Sequence, residues 1–484
     1  MDPEQIRIQA DLRGLIEGDV HCDPLFTQIY ASDASIYEIK PLGVARPRST
    51  HDVSELLNYC HQNQLSVFPR GGGSGLAGQS LGRGIIVDFS RYMRRINPPR
   101  DGFVRVQCGV VQADLNRSID YHHLLFGPDP ATRSVSSIGS MLSVDAAGSH
   151  FPRYGSAGDC VQSMQVVLSS GEVVELSTHA WGGLPTPTQP AVFASTVFGL
   201  PVFGSHSSQR AADNALSNSV SKAANEKSGT AAQVGSASAE PTLSSAATGL
   251  NGANWPERSN SPSDTSSAQR VQHLAQQVGL LLQQNSALLL RPPWQDLSRG
   301  TGYPVEKVLD GDQVNLARLM CGAEGTLGII TEATLRVDEI PKVRGLMLLF
   351  FSRLETAAKA VLEFGREEVT ACDLMDRRLL EIARETEPVY ESIIPRGAEA
   401  MLLVEVHGEE PQGVRSRLMQ LLQRLQRRGK PVVSYRLTTD NAERNMLWRL
   451  ARRVMPRLYK LKGNLRPLPF VEDILVPPKR LPEF

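Results

Sequence analysis

Apolar positions along the chain change period several times, and the changes divide it into segments. Ile6, Leu12, Leu15 and Ile16 share a helical face near the N-terminus, so residues 1–35 read as a helix followed by loop. From about residue 43 to 180, short β-like runs alternate with helical ones. Asp52 to Gln62 predicts a helix with Val53, Leu56, Leu57 and Cys60 on one side and Thr50 as candidate cap. Ser66 to Pro69, Gly84 to Asp88, Phe103 to Gln107 and Gln165 to Leu168 predict strands. Gly171 fits a hairpin turn before a further strand, Glu172 to Leu176.

The pattern changes near residue 183. From about 204 to 268, Ser, Ala, Asn, Gly and Thr dominate, and large apolar side chains are scarce. Such a tract buries too little surface to offset its ordering entropy, which predicts a disordered insertion at about 183–268 within a folded domain. Helical periodicity returns at Gln269 through Val271, Leu274, Val278, Leu281 and Leu282, and Met320 to Val337 closes the domain at about residue 340. A second pattern follows: strand (Gly345 to Phe351), helix (Leu354 to Glu363), strand (Val369 to Asp373), strand (Ala400 to Glu405) and helix (Gly413 to Arg427). That order predicts a smaller ferredoxin-like domain over 341–484, and the fold class of the chain is α+β.

Composition narrows the function classes. The 484 residues suffice for two or three domains, and the polar tract accounts for an apolar fraction of only 41%. Zero formal net charge gives no reason to expect nucleic acid or an anionic membrane surface as partner. Six cysteines, at 22, 60, 108, 160, 321 and 372, form no C-x-x-C pair; their spacing predicts no metal centre, and a reducing cytoplasm is the expected setting. The polar N-terminus has no signal-peptide pattern, and no apolar stretch is long enough for a transmembrane segment.

The most informative segment is Pro69-Arg70-Gly71-Gly72-Gly73-Ser74-Gly75-Leu76-Ala77-Gly78. Consecutive glycines permit positive φ and close approach, and a curved run of backbone N–H groups cradles an anion such as a pyrophosphate. Gly73-x-Gly75-x-x-Gly78 satisfies the dinucleotide fingerprint by letter. Its context does not, because Gly82 and Gly84 follow and the chain enters a strand where that fingerprint opens a helix.

Three separated blocks, PRGGGSGLAGQS (69–80), GPDPATRSVSSIGSMLSVDAAGSHFPRYGSAGDCVQSMQVVLSSGEVVEL (127–176) and CGAEGTLGIITEATLRV (321–337), together resemble the FAD-binding domain of the vanillyl-alcohol oxidase/p-cresol methylhydroxylase superfamily. Ser298 to Tyr303 resembles the segment preceding the third block, and within the superfamily the combination is most similar to the D-2-hydroxyacid dehydrogenases. The resemblance implies a two-subdomain FAD-binding domain over 36–340 and an FAD-linked oxidase C-terminal, or cap, domain over 341–484. It implies that Pro69 and the backbone amides from Arg70 through Gly71, Gly72, Gly73 and Ser74 to Gly75 hold the pyrophosphate, with Leu76, Ala77 and Gly78 continuing under the cofactor. Pro128, Asp129, Pro130, Ala131, Thr132, Ser137, Ile138, Gly139 and Ser140 would line the flavin and pyrophosphate, together with Gly148, while Glu324, Gly325, Gly328, Ile329 and Ile330 would complete the adenine and ribitol side.

The chain departs from the family where relatives carry Asn-Ala-Gly-Gly and this sequence has Ala146-Ala147-Gly148-Ser149. No histidine lies between His61 and His122, so covalent attachment in the first loop is ruled out and FAD is expected to be non-covalent. His150, beside the second block, reads as a surface or hydrogen-bonded histidine.

The implied reaction is oxidation of a D-2-hydroxy acid, of the D-lactate, glycolate or D-2-hydroxyglutarate type, to the 2-oxo acid. Electrons would pass to a quinone, cytochrome or iron–sulfur partner, with localisation cytoplasmic or peripheral at the inner membrane. A cation must hold the substrate carboxylate, and Arg449, Arg452 and Arg453 in Leu447 to Arg453 are candidates in a segment that resembles a family Trp-x-x-Arg stretch. Arg466, Glu472 and Asp473 resemble a segment that enters the active site. The family's His-x-Gly-x-Gly-x-x-His stretch is absent, which leaves the catalytic base unassigned and suggests that the C-terminal domain is truncated. Two other readings stay open: a non-catalytic flavin-binding subunit that needs a missing C-terminal partner, and an oxygen-using alcohol or sugar oxidase.

Overall fold

The computed structural model describes residues 1–182, 262–289, 302–365, 368–461, 463, 467–468 and 474–484. Most of the expected insertion, Ser298 to Thr301, Arg466, Glu472 and Asp473 lie outside the described residues.

Two four-stranded sheets, among smaller ones, carry the N-terminal part. In the first, β1 (Asp19–His21), β2 (Gly43–Arg46), β3 (Val67–Arg70) and β4 (Ile85–Asp88) are ordered β1-β2-β4-β3, with β4 parallel to both β2 and β3. All four residues of β4 are buried, as expected for the centre of a parallel sheet covered on both faces. Helices α1 (Pro3–Leu15) and α2 (Thr50–Gln62) pack in the same core through Ile8, Leu12, Val53, Leu56 and Cys60.

Two sequence expectations change here. The buried residues of α1 are Ile8 and Leu12, whereas Ile6 and Leu15 face solvent. The cap of α2 is Ser49, whose hydroxyl accepts from the Asp52 amide. Thr50 is instead the first helical residue, and its Oγ1 reaches Gln165 Oε1 at 2.7 Å.

The second sheet is antiparallel. Strands β5 (Phe103–Gln107), β6 (Val161–Val167), β7 (Val173–Leu176) and β8 (Ile329–Arg336) are ordered β5-β8-β6-β7. Behind it lie α3 (Gln112–Ile119), α4 (Ile138–Ser143) and α5 (Pro262–Gln284). Helix α5 begins before the expected Gln269, and of its predicted face Val271 and Leu282 are buried while Leu281 is exposed. Ile329 packs into the first core and its neighbour Ile330 into the second, so β8 passes through the joint between the two sheets.

The C-terminal domain is built on one four-stranded antiparallel sheet. Its strands are β9 (Val343–Phe351), β10 (Ala371–Asp376), β11 (Ala400–Gly408) and β12 (Ser434–Thr438), ordered β10-β11-β9-β12. Helices α6 (Leu354–Val361), α7 (Arg377–Thr386), α8 (Pro411–Arg427) and α9 (Asn441–Arg452) connect and cover it. This is the ferredoxin-like order, with α7 added between the two middle strands of the chain order. Along β9 the period-2 rule distributes one apolar run between two cores: Leu346, Leu348 and Phe350 on one face, Met347, Leu349 and Phe351 on the other. β11 continues three residues past the expected Glu405, which brings His407 into the sheet. Among the described residues no helix is long and apolar enough to cross a membrane.

Candidate functional site

A cleft of about 580 Å3 opens at the joint between the first two sheets. The glycine loop after β3, the start of α4 and the start of β8 converge on it. Of the expected residues, Pro69, Arg70, Gly71, Gly73, Ser74, Gly75, Leu76, Pro130, Ala131, Thr132, Ser137, Gly139, Ser140, Glu324, Gly328, Ile329 and Ile330 line it. Three segments far apart in sequence therefore share one cavity of the size range of cofactor pockets.

Local chemistry explains the convergence. The Arg70 side chain donates to the carbonyls of Tyr30 (3.2 Å) and Ser32 (2.8 Å), which pins the start of the loop. Gly73 sits at φ +61°, a conformation that disfavours side chains. A Cβ on Gly71 would collide with the hydroxyls of Ser137 and Ser140, so the loop backbone can lie against α4 only because this residue has no side chain. Ser137 Oγ in turn caps α4 by accepting from the Ser140 amide.

Other expected residues do not line the cleft. Ile138 faces the core, where it packs with Leu142. Gly72 packs on the Val135 backbone and Gly148 on the Asp129 backbone. Ala77, Gly78, Pro128 and Gly325 also lie off the lining. Ala146 and Ala147 do line it, and so do Gln79, Cys108 and Met455, which the sequence reading did not select. Met455 comes from the C-terminal domain, so the cleft reaches that domain as well. Ser149, where the chain departs from the family, turns to that domain and donates to Asp373 Oδ2 at 2.6 Å.

The chain has the domains of an FAD-dependent enzyme. Residues 41–177 match the FAD binding domain and residues 340–484 match the C-terminal domain of FAD linked oxidases. The chain thus carries an FAD binding domain and an FAD linked oxidase C-terminal domain. Over 473 residues the chain is 28% identical to a D-2-hydroxyglutarate dehydrogenase of Pantoea ananatis, an alignment covering 94% of the chain and 39% of that relative. It is 27% identical to the D-2-hydroxyglutarate dehydrogenase of Escherichia coli K12, with the same two coverages, 94% and 39%. The chain thus spans about two fifths of the length of these relatives. A D-lactate dehydrogenase of Anaerostipes hadrus is 31% identical over 177 residues, 36% of each chain. Among solved structures, alkyldihydroxyacetonephosphate synthase shares the fold at a TM-score of 0.56 and 14% identity, covering 94% of this chain and 68% of that one.

The residues present fit FAD, the cofactor of this family. Glycine and serine line the end of the cleft at Gly71, Gly73 and Ser137, where Gly71 leaves room for backbone approach, and apolar Ile329 and Ile330 line another part.

At the edge of the cleft, beside Pro130, the chain holds a polar cluster that joins its domains. Asp129 is the one expected lining residue that turns into it. His150 Nδ1 lies 2.8 Å from Asp129 Oδ2, and His150 Nε2 lies 3.1 Å from Glu405 Oε1 on β11. Glu405 Oε1 also meets His407 Nε2 at 2.8 Å, and its Oε2 accepts from Trp448 Nε1 at 2.6 Å. His150 is thus a buried, hydrogen-bonded histidine, not a surface one.

Burial opposes charge on His150, but its bonds to Asp129 and Glu405 outweigh burial and raise it to about 9. Burial likewise pushes Asp129 and Glu405 up, and the imidazole partners more than reverse that, leaving both carboxyls below their ordinary values. His407 is pushed down by burial, and Asp373 is pushed up by it.

The register of the three arginines is resolved by helix geometry. Arg449 and Arg453 are exposed, and Arg453 faces Glu387 at 3.9 Å. Arg452 turns inward: its guanidinium lies 4.8 Å from the Trp448 ring centroid and donates to Asp129 Oδ2 at 3.3 Å. Burial, followed by the nearby Arg133, lowers it to about 10. Sequence reasoning missed Glu405, His407 and the pairing of Asp129 with His150. Their one local signal was Glu405-x-His407, two residues apart on a strand and therefore on the same face.

Proposed function

We propose that this chain is the flavin-bearing part of an FAD-dependent D-2-hydroxyacid dehydrogenase. The observation that carries the reading is Arg452, the inward-facing member of the arginine set on α9, bonded to Asp129, the sequence neighbour of the cleft-lining Pro130. Substrates of the class named by the relatives, D-2-hydroxyglutarate and D-lactate, carry a carboxylate beside the reacting carbon. Bound FAD supplies a two-electron acceptor for the hydride leaving C2.

The chain's own residues bind and orient. The amides from Arg70 to Gly75 and the hydroxyls of Ser137 and Ser140 hold the pyrophosphate. Arg452 takes the substrate carboxylate with the fork of its guanidinium, which stacking on Trp448 pre-orients. Asp129, fixed by His150, holds that guanidinium at the cleft edge. Electrons then leave for a quinone, cytochrome or iron–sulfur acceptor. The setting is a reducing cytoplasm, in keeping with six free cysteines, five of them buried.

The test is an anaerobic visible spectrum of the chain, and of the full-length protein that contains it, before and after D-2-hydroxyglutarate or D-lactate. Bleaching of an oxidised flavin band by either acid supports the reading. A flavin that neither acid reduces in either protein overturns it.

A further inference from the structure

We propose that His150, Glu405 and His407 bind one Zn2+ ion between the FAD-binding and C-terminal domains. Their donor atoms lie within 4.8 Å of one another, and the side chains are 7%, 1% and 11% exposed. Two of the edges are already short: 3.1 Å between His150 Nε2 and Glu405 Oε1, and 2.8 Å between His407 Nε2 and Glu405 Oε1. A tetrahedral shell with bonds near 2.0–2.2 Å places its donors roughly 3.4 Å apart, so the two edges to Glu405 need open by only a few tenths of an ångström, and the edge between the imidazoles lies within 4.8 Å.

The outer contacts match those of a metal site. His150 presents Nε2 to the trio because Nδ1 is engaged by Asp129 Oδ2, the carboxylate–histidine arrangement that fixes a ligand's tautomer. Glu405 is oriented from behind by Trp448 Nε1 on Oε2, which leaves Oε1 directed at both imidazoles. Two imidazoles and one carboxylate are a borderline donor set that suits zinc.

The fold accounts for the grouping. Glu405 and His407 are alternate residues of β11 and so project from one face of the sheet, and His150 enters from within the second block, immediately before the short helix Phe151–Tyr154. The ion would tie the two domains at the cleft edge and hold Asp129, and through it Arg452, in place. It would be a positioning group, and it does not depend on the identity of the substrate.

The purified flavin-loaded chain is stripped with a chelator, incubated with Zn2+ and passed through gel filtration. Metal content and the zinc K-edge X-ray absorption spectrum are then measured. The expected result is about one Zn2+ retained per chain, with two imidazoles in its ligand shell. His407→Ala should lower zinc affinity by at least about 100-fold while flavin content stays unchanged. A wild-type chain that retains no zinc, or a His407→Ala chain that retains as much as wild type, overturns the proposal. Should the variant not fold, the spectrum of the wild type decides: a shell lacking two imidazoles means that the cluster is purely hydrogen-bonded and the proposal is wrong.

Discussion

The cleft and the polar cluster beside it differ in how the sequence encodes them. The cleft is made from runs of small residues, each contiguous, in which Gly71, Gly73, Ser137 and Gly139 act through backbone approach and short hydroxyls. The cluster is made from single side chains: Asp129, His150, Glu405, His407, Trp448 and Arg452. The cleft excludes side chains so that a cofactor can enter. The cluster fills its space with ionisable groups, and these stay buried only because each has partners. A site built by exclusion tolerates polar change around it but no added atom. A site built by mutual satisfaction should fail when one member is removed.

The sharpest way to break the contrast is Glu405→Ala. It strips a partner from His150, His407 and Trp448 at once, and breaking such a buried ionic set should cost about 3–5 kcal/mol, read as a lower denaturant midpoint of the C-terminal domain. Flavin content of the folded fraction should change little, because none of the three groups lines the cleft.

The converse variant is Gly71→Ala. Its Cβ would meet Ser137 and Ser140, so FAD affinity should fall by about 100-fold, or roughly 2.7 kcal/mol, in a fluorescence titration. The Glu405 cluster should keep its stability, and equal damage to both would show that the two regions are one unit.

Trp448→Phe keeps the ring but leaves Glu405 Oε2 without its donor, and a loss of about 1–3 kcal/mol in a denaturant titration is expected.

Surface pairs form the lower end of the scale. Arg424 holds Glu368 down to about 2 from an ordinary 4.5, and the carboxylate side chain is 43% exposed. Because the folded-state value is depressed, the pair stabilises the protein above about pH 4.5 and that contribution fades as pH falls toward 2. Solvent screening keeps it below about 1 kcal/mol, so Glu368→Gln should shift the neutral-pH denaturant midpoint only slightly and flatten the acid limb of the stability profile. A larger effect than that of Trp448→Phe would contradict the ranking of buried over exposed partners.

Much of the architecture was legible along the chain. The period-2 run of β9 and the helical periods of α2 and α8 mark elements whose apolar faces decide their place. The errors fell where local preference was not decisive. Thr50 and Ser49 are both good caps, and the choice turned on a partner for Thr50 at Gln165 in another sheet. Ile6 and Leu15 share a helical period with Leu12 but lie outside the stripe that the first sheet covers. Ile138 sits inside a run of small residues, yet its position on α4 turns it to the core.

What the sequence determined by itself is the small-residue lining of the cleft, because a run of glycines and serines constrains its own backbone and leaves room for another segment to lie against it. The tertiary structure alone decided which arginine of Arg449, Arg452 and Arg453 faces inward, and which histidines meet a carboxylate. Those outcomes depend on the packing of α9 and β11 against a loop more than 250 residues earlier, as in the 255-residue separation of His150 from Glu405. No local propensity encodes such a contact; it exists only once the cores of both domains have formed and have fixed the distance between them.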